Sequence, residues 1–318
     1  SVKNEAESLK AGIDIIYTGS RVKASMKICE SVKDRRLDEK VINEAVRRLL
    51  STILKAKSAQ KTTSICDYNA NHNAALKAAR ESIVLLKNKN KTLPLKKYEK
   101  LAIIGSDIYV QAESRESVMP TRQTSLQAEL KNESADIIYC QGYSDDEQNL
   151  NSSLAKQALE ACKQADKIIF VAGTGQNSIK EGCDRKNLYI PNYQKLLLEK
   201  LSNLGKPLIV LITGEAVIPR WEECADAIVF CGFLGQAGAS AVKDVLYGYC
   251  DATGRLAETI PLSEEDMPDN LYFDENNLNT KYAESIYTGY RYYLKSHKKM
   301  AYPFGYGLSY AEFEYSRM

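Results

Sequence analysis

The chain has 318 residues, of which 44% are hydrophobic and 26% charged, and its formal net charge is +2. This length allows one large domain or two ordinary ones, and the composition is that of a globular protein with a buried core. The small net charge gives no electrostatic reason to expect a nucleic-acid partner. No apolar run reaches the roughly 18 residues that a membrane helix needs, so we expect no membrane partner either.

Eight cysteines are distributed along the chain without a CxxC pair, and some lie in apolar runs such as AIVFCGF (227–233). This pattern favours buried, reduced thiols over a disulfide framework or a metal site. We therefore expect a reducing compartment and a cytoplasmic protein, although any signal peptide would lie before Ser1. His72 and His297 are the only histidines, which is too few for a two- or three-histidine metal site, and we expect no metal or cofactor.

The first part of the chain, residues 1–57, is predicted to be helical because apolar residues recur at spacings of three and four. The three stretches with this pattern are AESLKAGIDII (6–16), VKASMKICESVK (22–33) and LDEKVINEAVRRLLSTILKAK (37–57). A polar stretch follows and predicts a linker over residues 58–71.

Residues 72–262 alternate between strand-like and helix-like runs. The predicted strands are 101–107, 135–142, 166–173, 207–213, 226–233 and 255–261, and the predicted helices are 74–88, 151–165, 193–204 and 239–249. Nearly continuous apolar strands separated by amphipathic helices indicate an open, mostly parallel sheet with helices on both faces, an α/β sandwich. Residues 263–318 are rich in Tyr and Asn, and we expect them to form a tail that packs on this domain.

The segment IKEGCDRKNLYIP (179–191) follows a predicted strand, and ligands bind at the carboxyl ends of strands in such sheets. Glu181 therefore stands where a catalytic carboxylate can stand. Gly182 permits backbone conformations closed to other residues, and Asp184 with Arg185 can pair to fix the loop. Spacing alone leaves open the alternative that these residues form a solvated surface loop.

GTGQNS (173–178) is similar to a GxGxxG phosphate-binding loop, but Ser178 replaces the third glycine and no helix pattern follows directly. A nucleotide-binding α/β domain therefore stays an alternative that trails the carboxylate interpretation. No serine lies in a GxSxG elbow, which argues against nucleophilic serine catalysis.

Five segments, in this order and at suitable distances, resemble the α/β sandwich domain of family 3 of the glycoside hydrolases. They are KAARESIVLLKNKNKTLPL (77–95), GQNSIKEGCDRKNLYIPNYQ (175–194), GQAGASAVKDVLYGYCDATGRLAETIP (235–261), YTGYRYY (287–293) and YPFGYGLSYAEFEY (302–315). The family contains β-glucosidases, β-xylosidases and related exo-acting enzymes. LKAGIDI (9–15) and LDEKVINEAVRRLL (37–50) are similar to the end of that family's (β/α)₈-type barrel.

The resemblance implies a retaining hydrolase, with β-glucosidase as the preferred activity and a β-linked oligosaccharide or glycoside as substrate. Such an enzyme uses two carboxylates. Glu181 matches the general acid/base in the EGxDR-like motif, while Asp184 and Arg185 are implied to organise the loop or to contact the sugar. The motif YPFGYGLSY (302–310) is predicted to form turns and packing contacts rather than to take part in catalysis.

Departures from the family pattern set limits on this interpretation. In relatives, the nucleophile aspartate lies in an SDW-like motif. These residues lack that motif and most of the barrel. We therefore expect the isolated chain to be inactive and the missing barrel domain to be its partner. The helices of residues 1–57 would then present apolar faces, from which we expect self-association. The alternative is a non-catalytic carbohydrate-binding or scaffold protein of the same fold.

Overall fold

The computed structural model describes residues 4–17, 19–60, 66–106, 120–122, 124–131, 133, 136–144, 149–174, 185–268, 281–282, 284–314 and 316. The chain divides into two compact units, Ser1–Cys66 and Asp67–Met318. In the described part of the chain, no helix combines the length and the apolar character needed to cross a membrane.

The N-terminal unit contains the three helices that the apolar spacing predicts, and each begins at a polar side chain that caps it. They are α1 (Glu5–Lys10), α2 (Arg21–Lys33) and α3 (Glu39–Ala59), capped by Asn4, Ser20 and Asp38. The first helix is shorter than predicted, with a positive φ of 96° at Gly12 just beyond its end. A small core holds the unit together, made of Ala6, Leu9, Leu37 and Ala45.

The second unit is built on a six-stranded sheet in the order β1-β6-β5-β4-β2-β3. The strands are β1 (Val84–Asn88), β2 (Lys100–Ile104), β3 (Asp136–Cys140), β4 (Lys167–Gly173), β5 (Leu208–Thr213) and β6 (Ala227–Gly232). All neighbouring pairs are parallel except β1 with β6. The predicted fold class, an α/β sandwich with a mostly parallel sheet, is confirmed.

Both faces of the sheet are buried, and successive residues of each central strand alternate between them. In β4, for example, Ile168 and Phe170 lie in one core cluster, while Ile169 and Val171 lie in the other. Helices α6 (Ser152–Gln164) and α7 (Asn192–Ser202) contribute to the first cluster. Helices α4 (Tyr68–Ser82), α5 (Leu126–Leu130) and α8 (Gly238–Leu246) contribute to the second.

The predicted helix 74–88 was wrong in its second half, which is strand β1. Helix α4 ends at Ser82, and Val84 begins an antiparallel pairing with β6. A strand that is buried on both faces has no alternation, so its apolar run cannot be told from a helix by periodicity. At its other end α4 extends into the predicted linker, because Asp67 caps it by accepting hydrogen bonds from two backbone N–H groups.

The predicted strand 255–261 was also too long. Only Ile260–Pro261 (β7) is extended in a ladder, and it pairs with β8 (Met300–Tyr302) outside the main sheet. The C-terminal segment continues this contact, because a bridge joins Leu308 to Leu85 of β1. It also contains the short helix α9 (Tyr290–Ser296).

Candidate active site

The sheet has a switch point between β2 and β4. The chain passes from β2 to β3 on one side and then returns to β4 on the other side of β2, and β5 lies beyond β4. Ligands of open α/β sheets bind in the crevice at such a point. In the sequence, Glu181 follows β4. Glu181 and Asp184 lie outside the described residues, so their roles stay predictions.

The ends of β2 and β4 are drawn close together beneath this crevice. The Tyr143 hydroxyl donates a hydrogen bond to the Val171 carbonyl oxygen at 2.8 Å. Gly105, with a φ of 120°, follows β2, and a Cβ there would lie 2.6 Å from the same carbonyl oxygen. A side chain at this position would therefore force the two strand ends apart.

The end of β4 is held in a similar way against β5. A Cβ on Gly173 would lie 2.4 Å from the Thr213 carbonyl oxygen, and the Gly173 N–H donates to Gln194 Oε1 at 3.0 Å. The first glycine of the GTGQNS motif therefore serves close strand packing. The rest of that motif, 175–178, lies outside the described residues, so the structure gives no test of phosphate binding.

Arg185 is the predicted site residue that the structure describes, and its side chain is only 15% exposed. Its Nη1 donates to the Ala216 carbonyl oxygen at 3.0 Å and lies 3.1 Å from Glu215 Oε2. Arg185 thus ties the end of the predicted catalytic loop to the segment that follows β5. The carboxylate seen beside it is Glu215, which the sequence interpretation did not name.

Further contacts hold the stem of the loop beyond Arg185. The Ile218 N–H donates to the Leu188 carbonyl oxygen at 2.7 Å, and the Leu188 N–H donates to the Glu264 carboxylate. The Arg220 guanidinium lies 4.5 Å from the centre of the Tyr189 ring, a cation–π distance. The loop stem is therefore held on two sides by neighbouring segments.

A cavity of about 240 Å³ opens beside Arg185, between the segment after β5 and the segment before β7. Glu258 and Thr259 line it opposite Arg185 and Glu215. Within the described part of the chain, Arg185 Nη2 and Thr259 Oγ1 are buried and have no hydrogen-bond partner. Buried polar atoms without partners are costly unless something binds them, so this cavity suits a ligand with hydroxyl groups.

The residues that sequence reasoning missed are Glu215, Glu258, Thr259 and Glu264. Glu215 could have been found, because it comes two residues after β5, and the rule that singled out Glu181 applies equally to that strand end. Glu258 and Thr259 fall in the predicted strand 255–261, of which only Ile260–Pro261 is extended, and Glu264 lies beyond it, where no periodic pattern places a side chain.

His72 is buried in α4, where its Nδ1 lies 3.0 Å from Gln236 Nε2. This contact gives His72 a structural role, joining α4 to the segment after β6. The described residues contain no cluster of His, Cys, Asp or Glu that could hold a metal ion.

Two buried cysteines, Cys162 and Cys231, are free thiols. Burial raises the pKa of each to about 12, so both thiols stay protonated and unreactive. The compartment inferred from cysteine usage stays a prediction.

The YPFGYGLSY motif makes packing contacts throughout. The Tyr302 hydroxyl donates to Glu222 Oε1 at 2.8 Å, and the Tyr310 hydroxyl donates to the Val245 carbonyl oxygen at 3.0 Å. A Cβ on Gly307 would lie 2.6 Å from the Gly254 carbonyl oxygen. These contacts agree with the predicted role in packing and turns.

An open, mostly parallel α/β sheet with a switch point, and a cavity beside Arg185, are features of a ligand-binding domain of the α/β class. The model of the Glycosyl hydrolase family 3 C-terminal domain matches residues 83–310. The chain belongs to this family, as its sequence motifs suggested.

Curated relatives match nearly the whole chain. Thermostable beta-glucosidase B of Acetivibrio thermocellus is 33% identical, over 99% of this chain and 43% of the relative. An exo-alpha-(1->6)-L-arabinopyranosidase of Bifidobacterium longum is 30% identical, over 96% of this chain and 42% of the relative. The chain thus spans less than half of the length of these relatives.

Solved structures agree with the fold. A GH3 beta-glucosidase of Bifidobacterium adolescentis is 30% identical with a TM-score of 0.79, covering 96% of this chain and 46% of the other. A GH3 exo-beta-xylosidase is 29% identical with a TM-score of 0.73, covering 96% of this chain and 41% of the other.

Proposed function

We propose that this chain is the C-terminal part of a retaining, exo-acting β-glycosidase, with β-glucosidase as the preferred activity, and that Glu181 is its general acid/base. The observation that carries the proposal is the position of the C-terminal end of β4 at the switch point of the sheet. Glu181 follows β4 in the sequence, and the described residues beyond it are held through Arg185 and Leu188. The relatives named β-glucosidases support the activity.

The proposed chemistry has two steps. In the first, a carboxylate outside these residues attacks the anomeric carbon, the glycosidic C–O bond breaks, and Glu181 gives its proton to the departing oxygen. In the second, the Glu181 carboxylate takes a proton from water while that water attacks the anomeric carbon and releases the nucleophile. One side chain thus serves both steps and returns to its starting state.

The nucleophile is proposed to come from a barrel domain. The 318 residues contain a single tryptophan, Trp221, which Arg220 precedes, so they hold no Ser-Asp-Trp motif. Loss of a nucleophile usually lowers the rate by several orders of magnitude. A polypeptide of these residues alone is therefore proposed to have no measurable turnover and to need a barrel partner.

The test is an assay of aryl β-glucoside, β-xyloside and β-N-acetylglucosaminide hydrolysis, by the chain alone and mixed with a barrel fragment from a relative. We expect turnover only in the mixture. Glu181→Gln should lower kcat/KM, which reports the step in which the leaving group departs, by about 10²–10⁴-fold with a phenyl leaving group, the usual contribution of general acid catalysis. The loss should be much smaller with a dinitrophenyl leaving group, because that group departs without a proton.

The matched control is Glu199→Gln on the exposed side of α7, which should leave every rate unchanged. An equal loss for both leaving groups would contradict the acid role of Glu181. Sugar binding without turnover in a verified complex would favour the non-catalytic carbohydrate-binding alternative.

A further inference from the structure

A second cavity adjoins the one beside Arg185. It has a volume of about 480 Å³, and Leu188, Glu258, Thr259 and Pro261 line both cavities. Because they share these lining residues, the two cavities adjoin, and together they reach from Arg185 to helix α9. We call the pair the rim groove. The second cavity is within the range of about 300–1,000 Å³ that is usual for a small-molecule site, and the first is slightly smaller.

The far end of the rim groove has an aromatic lining. The rings of Tyr290 and Phe304 stack with their centres 5.1 Å apart and their planes inclined by 27°. Tyr290 is 43% exposed and Phe304 is 52% exposed, so both keep ring surface in contact with solvent, whereas Tyr293 beside them is buried. A rigid aromatic surface of this kind offers apolar contact area at low cost in conformational entropy.

The charges along the rim groove nearly cancel. Its two guanidinium groups, Arg185 and Arg291, are matched against the carboxylates of Glu215, Glu258 and Glu284. An excess of carboxylates disfavours phosphorylated or acidic ligands. Carboxylates accept hydrogen bonds from hydroxyl groups, and the partnerless Arg185 Nη2 can donate to them. Polar edges and an aromatic face together suit a neutral sugar.

We infer that the rim groove binds the leaving-group side of a β-linked oligosaccharide, the sugars on the far side of the bond to be broken. This inference rests on the proposed function, because it takes Glu181 as the general acid. A general acid contacts the oxygen that departs, so the leaving group lies next to the loop that carries it. The groove begins at Arg185, at the end of that loop, and extends past Leu188 and Thr259 to helix α9.

The first experiment measures binding of cellotetraose to the 318-residue chain by isothermal titration and by ligand-observed NMR. We expect saturable binding, with Tyr290→Ala and Phe304→Ala each weakening it by about tenfold. Tyr68→Ala and Phe313→Ala replace the same residue types at exposed positions outside both cavities and should leave the affinity unchanged.

A conservative variant keeps the test valid if an aromatic replacement unfolds the chain. Thr259→Val keeps the shape of the side chain and removes the partnerless hydroxyl, and we expect about a threefold weaker affinity. Unchanged cellotetraose binding in all three groove variants would overturn the inference. It would also be overturned if the unmodified chain bound glucose 6-phosphate and did not bind cellotetraose.

A kinetic experiment tests this inference separately from the proposed function. In the mixture with a barrel fragment, Phe304→Ala should lower kcat/KM for cellotetraose by about tenfold and leave kcat/KM for phenyl β-glucoside unchanged. If Glu181→Gln abolishes turnover while Phe304→Ala alters neither substrate, the rim groove is refuted and the general acid stands. If cellotetraose binding depends on the groove and Glu181→Gln has no effect on turnover, the proposed function is refuted and the groove stands.

Discussion

Arg185 joins the predicted catalytic loop to the segment after β5 through a charge-assisted contact with low exposure. Replacing it with glutamine removes the positive charge that faces Glu215 and the hydrogen bond to Ala216. We expect Arg185→Gln to lower the free energy of unfolding by about 2 kcal/mol, measured by urea denaturation.

The control for Arg185→Gln is Lys186→Gln, because Lys186 is the neighbouring residue and is exposed. Hydrogen exchange should quicken at Leu188 and Ile218 in the Arg185 variant alone. Identical urea midpoints for the two variants would mean that the guanidinium contributes nothing to the stem.

Tyr143 fixes the floor of the switch-point crevice with a single buried hydroxyl. Tyr143→Phe leaves the Val171 carbonyl oxygen without this donor, and we expect a loss of about 1–2 kcal/mol in the free energy of unfolding. Tyr98→Phe, at a side chain that is mostly exposed, should change it by less than about 0.5 kcal/mol. A loss in the Tyr98 variant as large as in the Tyr143 variant would refute the specific role of the buried hydroxyl.

Individual site residues were predictable only where a regular element leads directly to them. Arg185 belongs to the segment after β4, which a strand-end rule singles out, while the role of Glu181 in the same segment stays a prediction. Thr259 and Glu264 were missed, because their positions depend on how irregular backbone folds back across the sheet. That path is set by long-range contacts such as the hydrogen bond from the Leu256 N–H to the Tyr306 carbonyl oxygen.

The C-terminal segment is attached to the α/β unit through Asp251. The Ser309 hydroxyl and the Tyr310 N–H both donate to this carboxylate. Burial alone would raise the pKa of Asp251, but these bonds and one from the Ala252 N–H hold it below the ordinary value of 3.8. The carboxylate therefore stabilises the fold at every pH above that value, and the contribution is lost as the pH falls through the lower, folded-state pKa.

This linkage predicts how Asp251→Asn behaves. The variant should melt at a lower temperature than the unmodified chain at about pH 7, and the gap should narrow as the pH falls below 3.8 and the wild-type carboxylate becomes protonated. Thermal unfolding followed by circular dichroism measures both. Glu199→Gln should show no such closing gap, and a gap for Asp251→Asn that persists at low pH would contradict the linkage.

The elements themselves were largely predictable, and the errors share one cause. Strands β2 to β6 were recognised because each is a short apolar run bounded by polar residues. Strand β1 was assigned to a helix because Ile83 to Leu86 are all buried, and burial on every side erases the alternation that identifies a strand. Helix α9 lies in a tyrosine-rich segment whose pattern indicates no regular structure.

At the scale of the whole molecule, helix α3 carries an apolar surface that its own unit does not cover. Val46, Leu50, Ile53 and Leu54 fall on one face of the helix and are each at least 45% exposed. We expect concentration-dependent self-association of the isolated chain in sedimentation velocity, because a contiguous apolar surface of this kind favours contact with another protein surface.

The double variant Leu50→Glu, Ile53→Glu should shift the sedimentation profile to monomer. Ser51→Glu combined with Thr52→Glu adds the same two negative charges at exposed polar positions of the same helix and serves as the matched control. A monomeric unmodified chain at all concentrations, or equal dissociation by both double variants, would refute the role of this surface.

The position of β1 has a consequence for how the domain forms on the ribosome. This strand is the first of the sheet to be synthesised, yet its partner β6 is the last, and its Leu85 carbonyl oxygen accepts a hydrogen bond from the Leu308 N–H near the end of the chain. At synthesis rates of about 5–20 residues per second, the apolar residues of β1 emerge many seconds before their partners. The residues of β1 therefore lack these partners until β6 and Leu308 have been synthesised.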